Sequence, residues 1–403
     1  MNLADIDVLN PEIYQQGLPH DQFAYLRRNA PCFLQSNREP GMIESGWILT
    51  RHSDVRNVNR DAVNFLNYKG VSPKKSGPTL KSNGKPAMTS LDGPEHHRNR
   101  LLVSQAFTRR SIKMFENSFR DLAASIVTKA LEKKSFDFVR DVAVELPMQV
   151  ICNLMGVPEE DRYRVLAWSN TIAAPMDPEY SPSPEAQLEA MHGLWDYGLY
   201  LADLRRDDPG DDIMSKLTRA VDGDRLTNEE LMGFTLLLIG AGNETTRNAL
   251  SHGMHALVHN PLQMAWLRRH LDRVPDPAVE EILRWATPVV FMRRTAARDI
   301  EMHGSTIKEG DAVIMMYASA NFDPDEFKDP MSFDLTRSPN SHLTFGFGNH
   351  FCLGAFVARL EIRILLEEFL RRTGDVRLDD EPTYGRDCYF RPVKRMPVTV
   401  SPA

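Results

Sequence analysis

The chain has 403 residues, 42% of them apolar and 26% charged, and a net charge of −7. These are the values of an ordinary soluble globule, and the longest uncharged apolar run, Phe234 to Gly242, falls far short of the roughly 20 residues that cross a bilayer. The negative balance argues against a protein held to nucleic acid or to an anionic membrane by its overall field.

At roughly 150 residues per domain, the length allows two or three domains or one large enzyme domain. The N-terminus, Met1 to Asp7, lacks the basic-then-apolar layout of a signal peptide, so a cytoplasmic protein is expected. Gly46 to Thr50 reads as a short strand. Residues 68–91, rich in Gly, Pro, Ser and Lys, read as a loop, and helical periodicity follows over Phe115–Leu131 and Pro147–Met155. Residues 174–185 hold four prolines and form a second loop.

A long helix is predicted next. Thr227 and Glu230 have capping-box spacing, apolar residues run through Ile239, and Pro261 ends the segment after roughly 30 residues, about 45 Å. Inside it, Gly240, Gly242, Thr245 and Thr246 are poor helix formers, at up to about 1 kcal/mol per glycine. Such a conflict marks either a functional site or a close helix crossing that needs small residues. Asp311 to Met316 reads as another strand, so the fold class is mainly α with small β-sheets.

Near the C-terminus, Phe345-Gly346-Phe347-Gly348-Asn349-His350-Phe351-Cys352-Leu353-Gly354-Ala355 leads into an amphipathic helix with Leu353, Val357, Leu360 and Ile364 on one face. Cys352 thus sits at a helix N-terminus, where unpaired N–H groups and the macrodipole stabilise a thiolate. The flanking glycines let the backbone lie flat against something large. Cys32, Cys152 and Cys388 read as buried small hydrophobes, and no cysteine spacing suggests a zinc knuckle or a disulfide framework.

Phe345, Gly348, Cys352 and Gly354 match the FxxGxxxCxG signature of the cytochrome P-450 superfamily, the haem-thiolate monooxygenases. Glu281-Ile282-Leu283-Arg284 resembles the family's ExxR, and Ala241 to Thr246 resembles its oxygen-activating helix. The similarity runs from about Pro19 to the end and implies a single triangular P-450 domain over residues 1–403. It implies haem b (iron protoporphyrin IX) with Cys352 as axial iron ligand, and propionates held by His96, Arg100, Arg294 and His350. Arg98, two residues from His96, would face elsewhere on a helix. Glu281, Arg284 and Arg337 would form a structural triad locking the cysteine loop. Asn321-Phe322-Asp323-Pro324 departs from the family's usual Asn-Arg-Asp-Pro, which leaves open any contact that needs an arginine at 322.

By the same resemblance, Glu244 and Thr245 are the acid–alcohol pair that relays protons during O2 activation. Glu244 could instead pair with Arg247, three residues on. The substrate pocket would include Ala241, Val289, Val290, Phe291, Met292 and Phe390. The expected activity is insertion of one oxygen atom of O2 into a C–H bond of a terpenoid-, steroid- or fatty-acid-like substrate; a non-catalytic haem-thiolate sensor is the alternative. No flavin or nicotinamide fingerprint occurs, so electrons would come from NAD(P)H through a ferredoxin reductase and a ferredoxin, docking near Arg98, Arg109, Arg110, Lys113 and Arg359. Lys69, Lys74, Lys75, Lys81 and Lys85, with no Asp or Glu between Ala62 and Leu91, are either a solvated loop or an attractor for an anionic substrate end.

Overall fold

The computed structural model describes all residues except 38, 75–80, 83–84, 174–175 and 220–223, with side chains at 81–85 and 173 also outside the description. The expectations for Lys75, Lys81 and Lys85 therefore fall outside the described residues or side chains. Seven helices position the site: α1 (Gly93–Ser104), α2 (Glu116–Leu131), α3 (Glu145–Met155), α4 (Pro184–Asp207), α5 (Asn228–His259), α6 (Asp276–Ala286) and α7 (Ala355–Arg372).

Helix α5 is the long element expected from the sequence. Thr227 Oγ1 accepts the Glu230 N–H at 3.3 Å and Glu230 Oε2 accepts the Thr227 N–H at 2.8 Å, a reciprocal cap that satisfies two orphan donors. Its 32 residues span about 48 Å. Almost every residue from Leu231 to Ile239 and from Asn243 to Leu257 is buried, because α3, α4 and α6 pack around it. The tight crossings occur at glycines outside the odd segment: a Cβ on Gly198 of α4 would lie 2.7 Å from Thr235, and one on Gly253 would lie 2.7 Å from Ile282 of α6. At Gly240 a Cβ would meet nothing within 4 Å. Gly240 therefore borders open space, while a Cβ on Gly242 would meet Ile151 of α3 at 3.5 Å, an ordinary contact, so neither glycine is required by a tight helix crossing.

Five short strands form the main sheet: β1 (Cys32–Ser36), β2 (Ser45–Leu49), β3 (Phe65–Leu66), β4 (Phe291–Ala296) and β5 (Ala312–Met316), in the order β1-β2-β5-β4-β3. Only β2 and β5 pair in parallel, with Ile314 opposite Ile48. Alternate residues of β5 feed two apolar clusters, Ile314 and Met316 on one side and Val313 and Met315 on the other, as expected for a strand buried on both faces. A further sheet joins Ser135–Asp137, Thr373–Leu378 and Pro397–Pro402. No helix among the described residues is long and apolar enough to cross a membrane.

Candidate active site

A largely apolar cavity of about 400 Å³ lies between α5 and the loop Phe345–Gly354. Gly240, Ala241, Thr245 and Thr246 supply one wall and Cys352, Leu353 and Gly354 the opposite one. Val289, Met292, Phe390 and the segment Val71–Lys74 close the sides.

The cysteine loop is shaped by glycines at Gly346 (φ +70°) and Gly348 (φ +76°). A Cβ on Gly348 would also stand 2.8 Å from the Asn59 carbonyl, so no other residue fits there. The Cys352 N–H donates to Phe345 O at 2.9 Å, and Cys352 Sγ accepts backbone N–H bonds from Gly354 and Ala355. Its exposed surface is exposure to the cavity, since protein encloses the group. Burial raises the thiol pKa above the ordinary value and outweighs the lowering by these N–H groups and by Arg100 and Arg359. The helix-start stabilisation expected from the sequence is thus present but is not the dominant effect. Cys32, Cys152 and Cys388 are all buried away from the cavity wall.

Behind the loop lies a buried charge hub. Glu281 accepts from Arg284 Nε and Nη2, both at 2.8 Å, from Arg337 Nε and Asn340 Nδ2, both at 3.1 Å, and from Asp334 N at 2.9 Å. Arg284 also donates to the carbonyls of Asn321, Pro330 and Ser332. Asn321 continues the chain of bonds: its amide donates to Thr287 and Thr344 while its oxygen accepts the Leu343 N–H. Phe322 replaces the arginine usual in the family with a ring 5.0 Å from the Arg284 guanidinium, tilted against Trp285.

His96, Arg100, Arg294 and His350 all line the cavity. The His96 and His350 ring centroids are 3.9 Å apart, and Arg294 is buried with one bond to Asn59 Oδ1 at 3.3 Å. Burial and repulsion from neighbouring cations hold His350 down to about 3 and lower His96, while burial alone lowers Arg294, against Tyr317 and Asp92, which raise it. Arg98 instead binds Asp224 and Glu230, as its place on α1 requires.

Thr245 faces the cavity with its hydroxyl donating to Ala241 O at 2.8 Å, which also lets the threonine sit within the helix. Glu244 does not accompany it. Its carboxylate is buried in an ion pair with Arg247 and accepts from Asn248 Nδ2 at 2.9 Å, so the pairing alternative holds and Glu244 is absent from the cavity wall. Two pocket assignments also need correction. Val290 and Phe291 are fully buried in the core, with the Val290 N–H bonded to Tyr389 O and the Phe291 ring packed edge-on against Tyr389 at 5.4 Å. Ala241, Val289, Met292 and Phe390 do line the cavity.

Sequence reasoning missed Glu361, the one carboxylate in the wall among the described residues. Burial raises its pKa to about 8, against a hydrogen bond from Thr246 that lowers it. The signal was there: Glu361 sits at Val357 + 4, inside the apolar stripe of α7. Of the expected lysines whose side chains are described, Lys74 lines the cavity, its amine donating to Gln187 Oε1 at 3.0 Å. Lys69 turns outward to Gly310 O.

Together these features fit a flat, dianionic iron macrocycle. Open space over Gly240 and Gly354 offers flat backbone on both walls, one thiol faces inward, and a group of arginines and histidines calls for anionic partners. Residues 202–373 match the family model described as Cytochrome P450. The chain is 40% identical to a methyl-branched lipid omega-hydroxylase of Mycobacterium tuberculosis, over 99% of this chain and 95% of that protein. It is 38% identical to a steroid C26-monooxygenase of Rhodococcus jostii, over 97% and 84%. Among solved structures, a Mycobacterium marinum cytochrome P-450 in complex with pseudoionone superposes with a TM-score of 0.90 at 36% identity, covering 98% of both chains.

Proposed function

The chain belongs to the cytochrome P-450 family and is a monooxygenase of apolar substrates, and from that premise we propose that its substrate is a lipid with a hydrocarbon body and an anionic end held by Lys74. Haem, when bound, supplies O2 activation and oxygen transfer. Cys352 is its proposed thiolate ligand, and His96, Arg100, Arg294 and His350 would receive the propionates, where forked donors and imidazoles meet two negative charges. A metal-coordinated thiol is deprotonated outright, so the raised thiol pKa is no obstacle.

The chain's own groups do the rest. The apolar wall excludes water and positions hydrocarbon beside the reaction centre. Thr245, its proton committed to Ala241 O, keeps an oxygen lone pair free to accept a hydrogen bond from a proton-carrying water. With Glu244 tied to Arg247, the carboxylate in the cavity wall among the described residues is Glu361, held neutral below about pH 8 and bonded to Thr246.

Lys74 is the observation that carries the substrate reading. Burial lowers its pKa, Asp387 acts on it only through space, and the one hydrogen-bond partner of its amine among the described residues is a neutral amide. A carboxylate would complete it. A fatty acid or a terpenoid or steroid acid would satisfy both amine and wall, and the relatives are named for a methyl-branched lipid and a steroid, which share the hydrocarbon body. Electrons would come from NAD(P)H through a reductase and an acidic ferredoxin. Arg98 and Arg359 are engaged by carboxylates, which leaves the exposed Arg109, Arg110 and Lys113 as the docking charges. The enzyme would work in the cytoplasm.

The test follows haem spin state while the loaded enzyme is titrated with an acid and with its methyl ester. A hydrogen-bonded charge pair worth about 1.5 kcal/mol predicts roughly tenfold weaker acid binding in Lys74→Gln with the ester unchanged. Equal binding of acid and ester by the natural enzyme would leave Lys74 without a role in recognition.

A further inference from the structure

Away from the cavity, the last turns of α5 carry His255 and His259, one helical turn apart, and the segment ahead of Thr383 brings Glu381 against both. His255 Nε2 lies 3.3 Å from Glu381 Oε2, and His259 Nε2 lies 3.7 Å from Glu381 Oε1. One nitrogen from each imidazole and one carboxylate oxygen all fall within 4.8 Å of one another. A tetrahedral zinc ion with bonds of about 2.0–2.1 Å separates its ligand atoms by about 3.3 Å, so the three donors need only small rotations to share one ion.

A second observation concerns orientation. His259 Nδ1 lies 3.0 Å from the His255 carbonyl, which can only accept, so Nδ1 carries the proton and Nε2 is left as a lone-pair donor aimed at the glutamate. That is the outer bond which fixes the tautomer of metal-bound histidines. All three side chains remain open to solvent, so a water could fill a fourth position.

We propose that His255, His259 and Glu381 form a binding site for a divalent transition metal of the zinc class. Imidazole with carboxylate suits such ions and not magnesium, which prefers all-oxygen shells. The ion would staple the end of α5 to the segment that continues into Tyr384, already stacked on His252 with ring centroids 5.7 Å apart. The site is separate from the monooxygenase chemistry.

Zinc chloride titrated into the haem-loaded full chain by calorimetry tests this, since iron then occupies the cavity cysteine. The expected result is a saturable one-to-one heat, weakened at least tenfold by His259→Ala and equally by Glu381→Gln, with no comparable heat from magnesium chloride. The thermal midpoint should rise with zinc in the natural protein and in neither variant. Both substituted side chains are solvent-exposed, and an unchanged Soret band would show that each variant folds. Absence of saturable heat, a site that survives either substitution, or an equal response to magnesium would overturn the assignment.

Discussion

Replacing Glu281 with Gln should destabilise the protein by about 3–5 kcal/mol, the cost of breaking a buried ion pair by removing one partner. Glu281 is fully buried and accepts five hydrogen bonds through its two oxygens. An amide keeps one acceptor. If that oxygen stays with Arg337, Asn340 and Arg284 Nε, the new NH2 confronts Arg284 Nη2 and Asp334 N, turning two bonds into donor–donor contacts at about 1–3 kcal/mol each. The carbonyl partners of Arg284 and Arg337 soften the loss and place it within the stated range. The assay is a urea titration of the haem-loaded protein, read by Soret absorbance and by far-ultraviolet circular dichroism. With a slope near 3 kcal/mol per molar, the midpoint should fall by about 1–1.7 M. Soret loss should precede loss of helix, because the hub braces the loop that carries Cys352. A change below about 1 kcal/mol, or coincident transitions shifted together by that little, would refute the view that this hub anchors the loop.

Thr245→Ala should uncouple the enzyme, with O2 and reductant still consumed and hydrogen peroxide replacing product; an unchanged ratio of product to O2 would remove Thr245 from proton delivery. Glu361 has a folded pKa near 8 against about 4.5 unfolded, so its contribution to stability is complete below pH 4.5 and is lost as pH rises toward 8. Relative to the natural protein, Glu361→Gln should therefore gain stability between pH 5 and 8, on the order of a few kcal/mol by denaturant titration, and a constant difference across that range would contradict the burial argument. Reversing Arg109 and Arg110 to Glu should slow reduction by an acidic ferredoxin and flatten its salt dependence, measured by stopped-flow; the same rate as the natural enzyme would move the docking face elsewhere.

The features readable in the sequence are those written in local spacing. The Thr227–Glu230 cap, the stop at Pro261 and the i, i+3 bond of Glu281 to Arg284 need only a few consecutive residues. Glu244 shows the limit of that reading: neighbouring residues point in different directions, so Thr245 faces the cavity while Glu244 meets Arg247 in the interior. Val290 and Phe291 fail for a similar reason, since the chain enters β4 at Phe291 and the Val290 backbone is claimed by Tyr389 and Ala318, nearly 100 and 28 residues away. Lys74 against Gln187 and Glu381 against two histidines are likewise long-range meetings, which no periodicity encodes.

The parallel pairing of β2 with β5 has a consequence for how the chain is made. The hairpin of β1 and β2 is complete by Leu49, yet its partner strand ends at Met316. At about 5–20 residues per second, a ribosome takes roughly 13–50 s to deliver that partner. Throughout that interval the N-terminal ribbon presents an unpaired edge, the kind of surface on which nascent chains aggregate or holding chaperones settle. Ribosome-bound chains stalled before Ala312 should remain protease-sensitive across residues 32–49, and those stalled well beyond Met316 should be protected there.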